Sequence, residues 1–313
     1  MKRTLTYLLL GALAVQSQAA SIVTLGTLTL STPATTTTTT ADFNSDSTPL
    51  VLSGGSLVLS SSTLSVTRNV TVGADGGILN VLGNKVVLSG SLSGTGAIAI
   101  LGSTGGTLTL SGTNTYSGGT EIDATRLEAA STGALGTGRV DLNGGGVLAI
   151  TQSGSYANAI GFNVGGGTIE IGSGKSVVVT GSVSGDGSVV KTGAGIIATY
   201  GSTSSFSGSL FISAGSVAIN SSTSAWTSGA GSPVSISSGA SLVLSMGGTV
   251  NLTGKVSADS KSASIYFNPA DTSSVLKLNT TVPTVYTSGA IQSSVQLGIS
   301  GKTIIYANGR YYQ

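Results

Sequence analysis

The chain of 313 residues contains no cysteine and no histidine. Without cysteine there is no disulfide framework, which excludes a small disulfide-stapled scaffold. Without histidine the chain lacks the commonest general base and the commonest protein ligand for metal ions. We therefore expect no metal site and no cofactor.

Charged residues are also scarce, at 8% of the chain, and aromatic residues make up only 5%. Hydrophobic residues nevertheless reach 39%, and the mean hydropathy is +0.38. Disordered chains usually combine low hydrophobicity with high charge, so this composition predicts a folded protein. The polar positions hold mainly serine, threonine, glycine and asparagine, which favour strands and tight turns over helices.

The segment 1–20 has the order of a secretory signal peptide. Lys2 and Arg3 precede an apolar run at 5–15, and cleavage is predicted after Ala19 or Ala20. The run is about eleven residues, shorter than the ~20 that a spanning helix needs, so we expect no membrane span in the mature chain. Removal of the signal leaves 11 basic and 11 acidic residues. A neutral mature chain lacks the basic stripe that nucleic-acid binding requires.

From residue 50 onward, apolar residues recur two apart, as in Leu108 and Leu110. This alternation turns one face of each segment inward, which is typical of half-buried strands and predicts an all-β protein. The predicted organisation is a signal peptide at 1–20, a Thr-rich tether or N-terminal cap at 21–49, a parallel β-helix at 50–280, and C-terminal strands or a cap at 281–313.

Two similar units lie about 90 residues apart. Residues 116–129 read YSGGTEIDATRLEA, and residues 206–219 read FSGSLFISAGSVAI. The shared glycines and apolar positions indicate a duplicated block. Short strands separated by frequent glycines favour a solenoid over a propeller or a sandwich, because every coil of a solenoid needs tight corners.

Residues 106–122 read GTLTLSGTNTYSGGTEI, and this motif resembles the autotransporter-associated β-strand repeat, also called the passenger-associated transport repeat. A second, degenerate copy lies at about 187–222. The resemblance implies a right-handed parallel β-helix that is exported to, or resides at, the bacterial cell surface. The positions that carry it are Gly106, Leu108, Leu110, Gly112, Asn114, Tyr116, Gly118, Gly119 and Ile122.

Passenger repeats of this family usually precede a C-terminal membrane β-barrel. The stretch that follows residue 280 is too short for an eight-stranded barrel, so we expect export by another system or residence in the envelope or periplasm. A passenger-type role implies partners among host glycans, matrix or other envelope proteins.

Glu121 and Asp123 belong to the densest charge cluster. They flank Ile122, so both point out of the same strand face and are candidates for acid/base work in a β-helical polysaccharide-active enzyme. The alternative is a solvated outer face on which Arg126 is their partner. No further acidic residue lies one coil away except the isolated Asp141. We therefore predict a non-catalytic structural or adhesin-like protein, with the enzyme as the alternative.

Overall fold

A computed structural model describes residues 50–60, 63–201, 205–221, 232–246, 249–258 and 263–269, together with strand segments at 28–31, 35–38, 275–280, 284–287, 295–299, 304–307 and 310–312. The predicted signal peptide at 1–20, including Ala19 and Ala20, lies outside the described residues. So does most of the predicted tether at 21–49.

The described strands form four sheets, here called A to D. Sheet A contains β1 (Leu28–Ser31), β3 (Leu50–Ser53), β6 (Val70–Val72) and β9 (Leu92–Gly94). Sheet B contains β2 (Thr35–Thr38), β4 (Ser56–Leu59), β7 (Gly77–Asn80), β10 (Ile98–Leu101), β12 (Thr120–Asp123), β14 (Val140–Asn143), β17 (Ile160–Phe162), β20 (Val183–Gly185) and β23 (Ser205–Phe206).

Sheet C is the longest of the four. It contains β5 (Thr63–Val66), β8 (Lys85–Leu88), β11 (Thr107–Leu110), β13 (Arg126–Ala129), β15 (Gly146–Ile150), β18 (Gly167–Ile171), β21 (Val189–Thr192), β24 (Leu210–Ile212), β26 (Val234–Ile236), β28 (Thr249–Ala258), β30 (Val275–Thr280) and β32 (Val295–Ile299). Sheet D contains β16 (Gly154–Tyr156), β19 (Ser176–Val179), β22 (Ile196–Thr199), β25 (Ser216–Ser221), β27 (Ser241–Met246), β29 (Ser264–Pro269), β31 (Thr284–Thr287), β33 (Ile304–Ala307) and β34 (Arg310–Tyr312).

Each sheet grows by one strand per coil, and neighbouring strands pair in parallel. The exception is β33, which pairs antiparallel with β34. The 12 strands of sheet C span roughly 50 Å at about 4.8 Å per layer. The predicted all-β, parallel solenoid is confirmed, whereas its right-handed sense and the four segment boundaries stay predictions. The described part of the chain has no helix long and apolar enough to cross a membrane.

The core consists of inward columns that the parallel register stacks from coil to coil. On sheet C, Leu108, Leu127, Leu148 and Ile169 occupy one register position, and all four are buried. Branched side chains stacked at the ~4.8 Å layer spacing exclude water along the whole column, and this burial is the main stabilising term of such a solenoid. The apolar residues that alternate along the sequence are thus the residues that point inward and form the core.

The two repeated units do not lie on the same faces. In the first unit, β12 belongs to sheet B and β13 to sheet C; their counterparts in the second unit, β24 and β25, belong to sheets C and D. Each coil of this region returns the chain to the same register position one layer on, from Thr120 to Val140 and from Ile160 to Val183, for example. The offset between the two units is therefore four coils and one further face.

Candidate functional site

Glu121 and Asp123 lie on the outward side of β12, where both are half-buried. The parallel register places Glu121 beside Asp141 of β14, and Asp123 beside Asn143. Asp141, which is isolated in the sequence, is therefore the direct neighbour of Glu121 one coil further along. The sequence spacing places Asp141 about one coil from this cluster, and the register adds that its partner in the stack is Glu121.

Side-chain hydrogen bonds connect the coils across this face. Asn143 donates from Nδ2 to Glu121 Oε1 at 2.6 Å, and Asn163 donates from Nδ2 to Asp141 Oδ1 at 3.2 Å. Arg139 donates from Nε to the same Asp141 oxygen at 2.7 Å. Each of the two carboxylates thus accepts from an amide of the next coil, an arrangement that holds stacked coils together.

The same face offers no metal centre. Among the described residues there is no group of three or more acidic, histidine or cysteine side chains that could hold a metal ion. Arg139 instead extends across the face and donates from Nη2 to Ser184 Oγ at 2.9 Å. Gly161 leaves room for this crossing, because a Cβ atom there would lie 2.0 Å from Arg139 Nη2.

Arg126 is not the partner that the sequence assigned to Glu121 and Asp123. The chain turns a corner at 124–125, so Arg126 lies on the outward side of sheet C. There it donates from Nη1 and Nη2 to the two carboxylate oxygens of Glu170, each at 2.8 Å. These hydrogen bonds lower the pKa of Glu170 below its ordinary value, against a smaller opposing effect of burial.

The motif residue Asn114 joins three consecutive coils from within. Its Oδ1 atom accepts from the backbone N–H of Leu92 at 2.8 Å, and its Nδ2 atom donates to the carbonyl of Ala134 at 2.6 Å. Asn114 is buried, so these bonds satisfy polar groups that water does not reach. Asn158 has a similar role two coils on, where its Nδ2 atom donates to Gly138 O at 2.7 Å; no motif in the sequence marked it.

Tyr116 fills the interior at the same corner and is completely buried. Its hydroxyl forms a hydrogen bond of 2.5 Å with the Thr120 hydroxyl. Burial raises the pKa of Tyr116 to about 12, although the bond to Thr120 acts in the opposite direction. The Tyr of the repeat motif is thus a core residue whose single polar atom is satisfied within the motif.

Replacing Tyr116 with phenylalanine should lower the free energy of unfolding by about 1–2 kcal/mol, because the buried hydroxyl of Thr120 loses this partner. Chemical denaturation followed by circular dichroism measures the change. Tyr200→Phe is the matched control, since Tyr200 is 59% exposed. Equal stabilities for the two variants would contradict the structural role of the Tyr116 hydroxyl.

Lys191 is the interior residue that the sequence analysis missed. It occupies the inward column of sheet C between Ile169 and Ile212, and it is 1% exposed. The sequence does contain a signal, because Val189 and Lys191 are two apart and must share a face. Its three ammonium hydrogens are shared among four carbonyl oxygens, those of Thr192, Gly193, Gly195 and Ala214, which lie 2.8 to 3.1 Å from Nζ.

Comparison with known proteins places two segments of this architecture in one family. The model of the passenger-associated-transport-repeat matches residues 105–128 and 189–219, which are the motif and its degenerate copy. No solved structure matches the chain.

A curated relative shares part of the sequence. The chain is 40% identical over 115 residues to a protein of Brucella suis biovar 1 (strain 1330) named Adhesin BmaC autotransporter. The match covers 33% of this chain and 3% of the adhesin, so the chain corresponds to a small part of that protein. The family match agrees with the motif at 106–122: the chain carries two passenger-associated transport repeats.

Proposed function

We propose that the chain is an exported, non-catalytic protein whose rod serves as a spacer or adhesin-like scaffold at the bacterial cell surface or in the envelope. The observation that carries the proposal is sheet C, which runs in one parallel stack through both passenger repeats. A solenoid places a long, regular surface on one rod, and such surfaces commonly serve binding. The name of the relative, an adhesin, supports the same function.

The outer face of sheet B supports a non-catalytic role. The carboxylates of Glu121 and Asp141 accept hydrogen bonds from Asn143 and from Arg139 and Asn163, respectively. A general acid or base needs its carboxylate directed at a substrate proton. Groups engaged with the next coil are better suited to stabilising the stack.

An attachment assay tests the adhesin-like role. Beads coated with the mature chain should bind, in a saturable way, to a panel of host matrix proteins, host glycans and bacterial envelope preparations. Soluble mature chain should compete with the beads. Absence of attachment to every surface in the panel would overturn adhesion, and protection of the chain from protease added to intact cells would overturn surface display.

A separate assay tests the enzyme alternative. The mature chain is incubated with mucin, pectin and peptidoglycan, and released saccharides are measured. We expect no product. A product that disappears in both Glu121→Gln and Asp123→Asn would overturn the non-catalytic assignment and identify the outer face of sheet B as an active site.

A further inference from the structure

The outward side of sheet D is uncharged from β16 to β33. The described strands in this range contain no acidic or basic residue. The outward rows of the two other long sheets do carry charges, for example Glu121 and Asp141 on sheet B and Arg126 on sheet C. Burial of an unpaired charge is costly, so sheet D is the face that another surface can cover at the lowest cost in solvation.

An apolar column runs along the middle of this face. The register stacks one outward residue from each of five successive coils, and the inward residue that precedes each of them is buried. The column consists of Val178, Ala198, Ala218, Val243 and Tyr266. The same register position of β31 and β33 holds Tyr286 and Tyr306. Tyr266 is 38% exposed, and Ile196 in the neighbouring row is 45% exposed, so the face is open to solvent.

A row of serines flanks the apolar column. Ser216, Ser241 and Ser264 occupy one register position in three successive coils. The hydroxyls of Ser216 and Ser241 hydrogen-bond to each other along the rod. A polar group that already has a partner within the chain can be covered at low cost, so this row permits close packing against another surface.

The side chains of the column change in size along the rod. Two successive coils hold Ala198 and Ala218, and the next two hold the larger Val243 and Tyr266. In a dimer with a two-fold axis perpendicular to this face, the two rods lie in opposite directions, and the bulky end of each column meets the small end of the other. With the axis between Ala218 and Val243, Tyr266 of each copy lies opposite Ala198 of the other. This complementarity of shape identifies a second copy of the chain as the occupant of the face.

We propose that sheet D is the interface of a homodimer in which two rods lie side by side in opposite directions. The seven strands from β19 to β33 cover roughly 30 Å along the rod, and strands of four to six residues are about 13–20 Å wide. Each copy therefore buries about 500 Å² and the dimer about 1,000 Å² in total, the lower limit for a specific interface. We expect a dimer that exchanges with the monomer at micromolar concentrations. The dimer goes beyond the adhesin-like function, because it does not depend on what the rod binds.

Sedimentation velocity of the full mature chain over a range of micromolar concentrations measures the dimer. Val243→Lys should weaken dimerisation at least about tenfold, because it places two like charges next to the two-fold axis. Val190→Lys is the matched control, since Val190 is also a half-buried outward valine but lies on sheet C, and the dimer should persist. Circular dichroism verifies that both variants keep their β structure. A chain that stays monomeric throughout, or equal effects of the two lysines, would overturn the proposal.

Cysteine crosslinking tests the orientation of the two copies. The chain has no cysteine, so each introduced thiol is unique. In a mixture of Ala198→Cys and Tyr266→Cys, a short bismaleimide should join one chain of each kind, because the two positions lie opposite each other. Either variant alone should give little crosslinked product, since its two thiols lie about three layers, or roughly 14 Å, apart along the rod. Crosslinking of Ala198→Cys with itself in preference to the mixture would overturn the antiparallel arrangement.

Vesicles of phosphatidylcholine test the other surface that an uncharged face with exposed tyrosine could contact. We expect the chain to stay in the supernatant when the vesicles are sedimented. Binding of a monomeric chain to the vesicles, abolished by Val243→Lys and kept by Val190→Lys, would overturn the dimer and assign the face to a lipid surface.

Discussion

Gly118→Ala is expected to lower the free energy of unfolding by at least about 3 kcal/mol, a large effect for one methyl group. The physical cause is a backbone contact between coils. A Cβ atom at Gly118 would lie 2.2 Å from the carbonyl carbon of Gly96 and 2.3 Å from the backbone N of Ala97. Backbone atoms cannot rotate aside as a flexible side chain can, so the coils must separate locally.

The same contact recurs in the second repeat. Gly208 is the counterpart of Gly118, and a Cβ atom there would lie 2.0 Å from the carbonyl oxygen of Gly187 in the preceding coil. A glycine at this motif position therefore serves close approach of two corners. We expect Gly208→Ala to be destabilising for the same reason.

Gly172→Ala is the matched control. Gly172 also lies at a corner, but a Cβ atom there would meet only Lys175 Cγ, at 3.6 Å, which is an ordinary contact. Its φ lies outside the left-handed region, so alanine should be neutral or stabilising by about 0.4–1 kcal/mol. Denaturant midpoints of the three variants decide the matter. Equal midpoints for Gly118→Ala and Gly172→Ala would refute the close-approach role.

The sequence predicts the strands of this fold, but it does not predict contacts between coils such as those of these glycines. Alternation is a local property, so the sequence predicts the strands and the inward column that contains Leu108 and Leu127, and both are confirmed. Which residues of successive coils lie side by side depends on the length of every corner. The alternating pattern does not predict those lengths. For that reason Arg126 was assigned to Glu121 when it lies around the corner with Glu170, and the inward position of Lys191 was overlooked.

Lys191→Met is expected to abolish a rise of stability with pH that the unchanged protein shows above pH 8. Burial lowers the pKa of Lys191 from 10.5 to about 8, although the nearby Glu170 carboxylate acts in the opposite direction. Below pH 8 the lysine is protonated in both the folded and the unfolded chain. Between pH 8 and 10.5 only the unfolded chain holds the proton, so folding stability increases with pH, by up to about 1.4 kcal/mol per unit.

The same substitution has a cost at neutral pH. The ammonium group of Lys191 donates to carbonyl oxygens of two successive corners, Gly193 O at 2.8 Å and Ala214 O at 3.1 Å among them. Methionine fits the apolar column between Ile169 and Ile212 but leaves those carbonyls without this donor. We expect the free energy of unfolding to fall by about 2 kcal/mol at pH 7. Carbonyls left without a donor lower it by more than removal of the buried charge raises it.

Denaturation at pH 7, 8.5 and 9.5 separates the two effects. Measurements stop at 9.5 because the raised pKa of Tyr116 makes stability fall with pH above 10, when tyrosines of the unfolded chain begin to ionise. Lys85→Met is the control, since Lys85 is an exposed lysine on the outward side of sheet C. Its loss should leave the increase of folding stability with pH unchanged. If the free energy of unfolding of Lys191→Met still rises with pH, another group titrates and the interior lysine is not the source of the alkaline stabilisation.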